Sequence, residues 1–474
     1  MGFVGNKGVE RGGREMRVKN IPENIRVILD IIEERGFEAY LVGGCVRDSI
    51  INELYGSNKE VNDWDIATNM DTEGVRVLFK GKEYGINTVG EKYGTVVVTD
   101  GVGEEVEITT YRTDGVYEDS RRPKEVKFAR SLKEDVMRRD LTINGLACNK
   151  VGEIVDYIGG VEDIKEGKIR FIGDVYSRLN EDLLRAYRAI RFKDVFGFSM
   201  DVNVMGKCYR VINEENNVSN ERVRGEIDKL FKNVETEEGC IDAIIMATGK
   251  CKELNDLMCP QNNVNHVYDV YMHTVKAMSS IDMLCENSRD KVILKWALML
   301  HDLGKKAVRT TGEDGVDHFY EHALMSEILG EKVLRKMKFT SLEMKEILFY
   351  IRNHDFGDMK ISKVRKMVSM YGYEWMNKLI LVSEADKNAQ NTEYNMDIKN
   401  NVIRNVTKKL EQVKREGSGY RVADLKINGN DLIEMGYKGK EIGDVLNSLL
   451  KEVWGSPVLN NREWLLSQCS KRKR

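Results

Sequence analysis

The chain has 474 residues, 41% hydrophobic and 32% charged, with a formal net charge of −3. That length exceeds what one hydrophobic core organises, so several domains are expected. No apolar run is long enough to span a membrane, the N-terminus has no signal-peptide core, and Asn6 argues against myristoylation at Gly2. The near-neutral balance leaves any nucleic-acid contact to local patches. Eight cysteines without a C-x-x-C pair read as reduced thiols of a cytoplasmic protein.

Residues 1–15 are Gly-rich, charged and aperiodic, which predicts a disordered extension; Met16 is a second candidate start. Ile25, Ile28, Leu29 and Ile32 recur at helical spacing before Gly36, and Phe37–Val42 reads as the first strand. Gly43 and Gly44 follow it directly, then a helix over Cys45–Leu54. Two glycines between a strand and a helix let backbone amides approach a phosphate chain, although a glycine pair also marks ordinary turns. Next comes Asn62-Asp63-Trp64-Asp65, read as an acidic strand continuing to Ala67. Alternate strand residues share a face, so Asp63 and Asp65 are expected to point into one pocket. Tyr93–Thr99 and Val106–Tyr111 are two further strands, with Glu107 alone among apolar and hydroxylic neighbours. Three carboxylates beside a phosphate cradle suit two magnesium ions and the deprotonation of an attacking hydroxyl.

Asp114–Pro123 is polar and predicts a mobile loop. From Arg121 to Arg139 there are eight Lys/Arg against three Asp/Glu, a local positive stripe suited to triphosphate or RNA backbone. Strand signals fade beyond about residue 155. Asn180–Phe198 reads as one helix and Val218–Asn233 as another, with Ser219 as its cap.

The ordered segments VGGCVRDS, NDWDIAT, VEITTYR, MRRDLTIN, EDLLRAYRAIRF and SNERVRGEI resemble the class II tRNA nucleotidyltransferases, the bacterial CCA-adding enzymes and their poly(A) polymerase relatives. The resemblance runs from Ile25 to Phe231 and implies an α+β chain. A mixed-sheet nucleotidyltransferase head (16–155) would be followed by a helical neck (156–260), an HD-type body (261–400) and a helical, tRNA-binding tail (401–474). It implies that Gly43 and Gly44 hold the triphosphate with Arg47 and Asp48 supporting the turn, that Asp63, Asp65 and Glu107 are catalytic with Asp63 and Asp65 binding two Mg²⁺, and that Arg139 and Asp140 contact the ribose. Leu141 and Gly145 stand where the family usually has Phe and Ala, which bears on packing.

Asp182 and Arg185, three apart on the expected helix, would share a face. A carboxylate accepts from an exocyclic amine and a guanidinium donates to a ring nitrogen. Such a pair matches cytosine and adenine and opposes uracil and guanine; the alternative is an intrahelical salt bridge. Arg188 and Arg191 continue that face, toward phosphates or simply covering surface.

All six histidines fall between His266 and His354. His301-Asp302 follows the apolar helix 292–300, a pattern that resembles the HD superfamily of metal-dependent phosphohydrolases. The resemblance assigns His273, His301, Asp302 and Asp386 as metal ligands, with His322 and His354 as extra ligands of two-metal members. Imidazoles mixed with carboxylates suit Mn, Ni, Co or Fe better than Mg. Lys306 departs from the usual proline after Gly304-Lys305. In Asp424–Leu450, which resembles the tail of HD-containing CCA-adding enzymes, Gly436, Gly439 and Gly443 beside Lys438 and Lys440 could bind a tRNA phosphate or only turn one helix into the next.

The reading is CCA addition to tRNA from CTP and ATP, with tRNA as partner, no DNA, no membrane and no oligomeric state specified. The alternatives are an A-adding enzyme, a poly(A) polymerase, or a chain that is mainly an HD phosphohydrolase.

Overall fold

A computed structural model describes residues 16–57, 59–101, 103–113, 127–129, 131–214, 216–390 and 396–473. The expected N-terminal extension, and Asp114–Pro123 with part of the basic stripe, lie outside the described residues. The chain divides into two units, Met1–Leu230 and Phe231–Arg474. No described helix is long and apolar enough to cross a membrane.

Helix α1 (Glu23–Glu33) buries Ile25, Ile28, Leu29 and Ile32, the stripe its spacing predicts. Strand β1 (Ala39–Val42) leads through Gly43 into α2 (Gly44–Tyr55), and Gly56 closes that helix in a left-handed conformation. Strand β2 (Asp65–Thr68) is followed by α3 (Thr72–Phe79), β3 (Gly85–Asn87), β4 (Thr95–Thr99) and β5 (Glu105–Thr110). A small pair, β6 (Arg112–Thr113) and β7 (Lys127–Phe128), precedes α4 (Leu132–Met137), β8 (Ala147–Cys148) and β9 (Ile154–Val155). Seven of these strands form one sheet in the order β3-β4-β5-β2-β1-β8-β9. It is mixed: β2 runs antiparallel to β1 and parallel to β5. In β5 Val106, Ile108 and Thr110 are buried while Glu105 and Glu107 are exposed, so one face of the sheet packs and the other carries acid.

Helices α5 (Gly160–Lys165), α6 (Val175–Glu181), α7 (Leu184–Phe196), α8 (Val202–Asn213) and α9 (Asn220–Asn233) follow. The single helix expected over 180–198 is thus two helices, broken at Asp182. Gly145 sits against Ile158 and Ile172, and an alanine Cβ there would collide with Ile158; glycine at this position answers to packing.

The second unit is almost wholly helical. It contains α10 (Glu237–Lys250), α11 (Val270–Leu284), α12 (Ser288–Leu300), α13 (Lys305–Val308), α14 (His322–Lys336), α15 (Ser341–Asn353), α16 (Ile361–Asn388, kinked at Gly372), α17 (Met396–Glu416), α18 (Gly429–Glu434), α19 (Lys440–Gly455) and α20 (Arg462–Arg472). From Lys291 to its end α12 is buried on every side. Even Lys295 is enclosed, donating to the Val234 carbonyl at 2.6 Å and pairing with Asp282 at 2.7 Å, as a buried charge requires. The tail has its own core, centred on Leu432, Leu449, Val453 and Leu465. Gly436 and Gly439 have positive φ in the turn between α18 and α19.

Candidate functional site

Strand register builds the site of the first unit. Val42 of β1 pairs with Asp65 of β2, so the glycine loop that leaves β1 lies beside the residue that opens β2. Gly43 has φ 79° and ψ −133°, a conformation side chains resist. A Cβ there would lie 3.6 Å from both Asp65 Oδ2 and Arg139 Nη1. Bare backbone therefore brings a carboxylate, a guanidinium and the free amides at the start of α2 together. Ile66 pairs with Ile108 of β5, and one residue earlier Asp65 and Glu107 share the opposite face.

Asp63 joins them by a different route from the one its spacing suggests. The strand begins only at Asp65, and Asp63 has φ 61°, in the left-handed region that strands do not use. A tight turn, not a pleat, carries Asp63 to the site, and such backbone strain gathers where function needs it. Burial, the Glu107 carboxylate and Asp63 together push the Asp65 carboxyl up to about 7, against the pull of Arg139. Carboxylates crowded this way suit a divalent cation, which removes their mutual repulsion.

The neighbouring arginines are held by acids and rings. Arg47 donates to Asp48 and to Asn144 Oδ1, each at 2.7 Å, and lies over Phe192 and Phe196. Arg138 and Arg139 both pair with buried Asp135. Asp140 was expected at a ribose, but its buried carboxylate accepts from Arg188 Nε at 2.6 Å, Asn144 Nδ2 at 3.1 Å and the Leu141 amide at 2.8 Å. Although burial opposes ionisation, Arg188 and these donors hold it well below the usual carboxylate range. Arg191 is buried, pairs with Glu226 Oε2 at 2.6 Å and stacks on Phe192 at 3.9 Å. Arg191 is thus an internal strut, while Arg188 is tied to Asp140 with 31% of its side chain exposed.

The expected base-reading pair is arranged differently. Asp182 is extended (φ −150°, ψ 105°) between α6 and α7, so it and Arg185 do not share a helical face. Asp182 Oδ1 accepts from the Leu184 amide at 3.0 Å, and both carboxylate oxygens face Arg222 at 3.3 and 2.7 Å. Arg185 bonds the Glu181 carboxylate and the carbonyls of Arg178 and Arg138 at 3.3 and 3.0 Å. Arg222 and Glu181 are the residues that sequence reasoning missed. Arg222 lies within SNERVRGEI, but no local spacing reveals a pairing across forty positions. Beside Glu181, Arg178 and Arg138 opens a cavity of about 420 Å³, a size that small-molecule sites commonly have.

In the second unit the ligand candidates sit at helix ends. His273 lies in the first turn of α11, His301 caps α12, His322 opens α14, His354 caps α15, and Asp386 lies near the end of α16. Each of the four imidazoles turns Nδ1 to a backbone carbonyl: Ala389 at 3.3 Å, Leu298 at 2.6 Å, Phe319 at 3.0 Å and Ile351 at 2.8 Å. That tether suits a proton on Nδ1 and turns Nε2 toward the cluster, where His273 Nε2 lies 2.9 Å from Asp386 Oδ1, the arrangement metal-binding histidines adopt. The Nε2 atoms of His273 and His301 face each other at 3.2 Å, as do those of His322 and His354. Ligand atoms of His273, His301, Asp302 and Asp386 lie within 4.8 Å of one another, and those of Asp302, His322 and His354 form a second such group. Asp302 belongs to both: Oδ2 faces His301 at 3.3 Å and Oδ1 faces His322 at 3.5 Å. Its two oxygens are buried without a hydrogen-bond partner; Lys305 Nζ stands 2.7 Å from Oδ2 as an ion pair. Facing ring nitrogens around a buried carboxylate shared by both groups fit two divalent cations. Burial alone would lower the His301 pKa, but Asp302 and Asp386 outweigh it and push it up to about 10, a measure of how strongly this cluster draws positive charge.

The Poly A polymerase head domain family matches residues 39–170, and the HD domain family matches residues 264–395. Among solved structures, the fold is similar to the Bacillus stearothermophilus CCA-adding enzyme in complex with CTP (24% identity, 94% and 97% of the two chains, TM-score 0.63). It is also similar to the Thermotoga maritima CCA-adding enzyme complexed with tRNA (18% identity, 96% and 97%, TM-score 0.53). In sequence, the chain is 29% identical to the CCA-adding enzyme of Ligilactobacillus salivarius over 96% of this chain and 98% of the relative. With that of Bacillus cytotoxicus it is 30% identical over 92% and 95%. A match of that identity along nearly the whole of both proteins decides the affiliation: the chain belongs to the CCA-adding enzymes.

Proposed function

We propose that this protein adds C, C and A in turn to tRNA 3′ ends, drawing on CTP and ATP, releasing pyrophosphate and acting in the cytoplasm. The observation that carries the reading is the meeting of Gly43, Asp65, Glu107 and Arg139 around the central strands β1, β2 and β5, in a chain whose relatives of matching length are CCA-adding enzymes. Enzymes of this class use a divalent metal, and here we assign it as two Mg²⁺ at Asp63 and Asp65. The cations would offset charge on the triphosphate and on the oxygens that attack and leave. The 3′-hydroxyl attacks the α-phosphorus in line, Glu107 accepts its proton, and the bond to pyrophosphate breaks. Backbone amides at Gly43 and Gly44 cradle the triphosphate, with Arg47 fixing the turn and Arg139 reaching the sugar. Asp140 acts through Arg188 and Asn144, which it holds in place.

Base choice falls to Asp182 and Arg185, each presented by its own partner. Arg222 orients the Asp182 carboxylate toward an exocyclic amine, and Glu181 with two carbonyls aims Arg185 at the adjacent ring acceptor. Arg191, through Glu226 and Phe192, fixes the helix that presents them.

We divide the chain into head (16–155), neck (156–260), HD body (261–400) and RNA-binding tail (401–474). In the HD body we assign His273, His301, Asp302 and Asp386 to one transition-metal ion (Mn, Ni, Co or Fe) and Asp302, His322 and His354 to a second. This makes the body a phosphohydrolase separate in chemistry from the head.

Asp63→Ala tests the head assignment. Loss of a ligand to a catalytic cation should slow nucleotide addition by about 10³-fold or more, with tRNA binding retained in a gel-shift measurement. Addition within about tenfold of the parent rate would overturn the assignment.

A further inference from the structure

Two of the six histidines are left over from the ligand set, and one of them lies against it. His266 packs edge-on against His273, ring centroids 5.0 Å apart at 88°. Unlike the four ligand histidines, its Nδ1 is not tied to a carbonyl: the atom is buried without a hydrogen-bond partner. A buried ring nitrogen with an unmet donor or acceptor is costly, and it persists where a ligand completes it. Its surroundings say what kind of ligand. Lys305 is buried, and its ammonium bonds Gln261 Oε1 at 2.6 Å and stands 2.7 Å from Asp302 Oδ2. Gln261, which holds the ammonium, lies five residues before His266 on the same segment. Gln261 and His266 come from one segment, pinned by Asn262, whose amide donates to Asp317 at 2.8 Å. The position of the ring is therefore built into the fold.

We propose that His266, on the segment whose Gln261 binds Lys305, is the phosphate-holding wall of the HD site. It receives a non-bridging oxygen of a phosphate ester while the Asp302-centred cluster holds the cations. This rests on the metal-site reading of the HD body. A neutral imidazole still offers one N–H, so the role does not depend on its charge. As a binding residue and not a ligand, His266 should govern affinity for phosphate without governing metal content.

The test uses the full chain loaded with Mn²⁺, comparing the parent, His266→Ala, His266→Gln and the double variant His301→Ala/Asp302→Ala. Bound manganese is counted by elemental analysis, inorganic phosphate binding is read by calorimetry, and CCA addition reports the folded state. His266→Ala should keep the parent's manganese and CCA addition while binding phosphate about tenfold or more weakly. His266→Gln, which restores a side-chain N–H, should recover much of that loss. Unchanged phosphate affinity in His266→Ala overturns the proposal while leaving the metal site standing, and so does a parallel loss of manganese, which would make His266 a ligand. If the parent and the double variant carry equal manganese, the HD metal reading falls and the proposal falls with it.

Discussion

Asp182 and Arg185 show how far a single residue's role depends on its partner. Spacing suggested that the two act as a pair on one helical face. Instead, the chain breaks at Asp182, Arg222 faces its carboxylate and Glu181 takes Arg185. A carboxylate fixed by one guanidinium can still accept an amine, which is what the proposed base choice requires. Asp182→Ala should therefore relax rejection of UTP and GTP by about 5- to 150-fold while lowering overall turnover less. Arg222→Ala, which frees the carboxylate to rotate, should erode the same ratio in part, whereas a merely structural arginine would lower all four nucleotides alike. Competitive incorporation of the four nucleotides measures both variants. Rejection of UTP left intact in a folded Asp182→Ala enzyme would remove its role in base choice.

At the scale of elements, α7 is held by ion pairs to its neighbours. Arg191 joins it to Glu226 of α9, and Arg188 joins it to Asp140 of the segment after α4. Both side chains of the Arg191–Glu226 pair are less than one-tenth exposed. Removing one partner strands the other charge, which costs about 3–5 kcal/mol. Glu226→Gln should lower the unfolding free energy of the first unit by an amount in or just below that range. Burial opposes ionisation of Asp135, Asp140 and Glu226, yet arginines beside each hold all three below their ordinary values. A depressed carboxylate stabilises the fold above its unfolded pKa, about 4, and that stability fades as pH falls through the folded value. Acid denaturation of the parent should therefore steepen below about pH 4, with a shallower acid limb in Glu226→Gln. An identical acid limb would remove the pair from that account.

The same scale explains what the sequence made legible. The amphipathic stripe of α1, the glycine turn after β1 and the alternation in β5 are local patterns, and their physics is complete within a few residues. The break at Asp182 was hidden because leucine, arginine and alanine on either side all favour helix. The break is held instead by the Leu184 amide and by Arg222, the latter from forty positions away. Asp63 was hidden for a related reason: D-x-D fits a strand pleat, while a left-handed turn delivers the same carboxylate by another path. The four candidate ligand histidines were visible as a cluster, but their carbonyl tethers came into view only with the helix ends.

Across the whole molecule, two chemistries occupy separate units: hard carboxylates beside a glycine loop in the first, and imidazoles around a shared aspartate in the second. Each set of candidate ligands suits a different kind of cation, and we assign the triphosphate to the first. The account therefore stands or falls on what the head polymerises. Purified protein should be given tRNA ending before CCA, after C and after CC, with each nucleoside triphosphate alone and with CTP and ATP together. CTP alone should extend the first two substrates to CC and stop, ATP alone should extend only the third by a single A, and the mixture should complete every end. UTP and GTP should add nothing. A single A added to tRNA ending in CC with no incorporation of C, or long runs of A on any end, would contradict it.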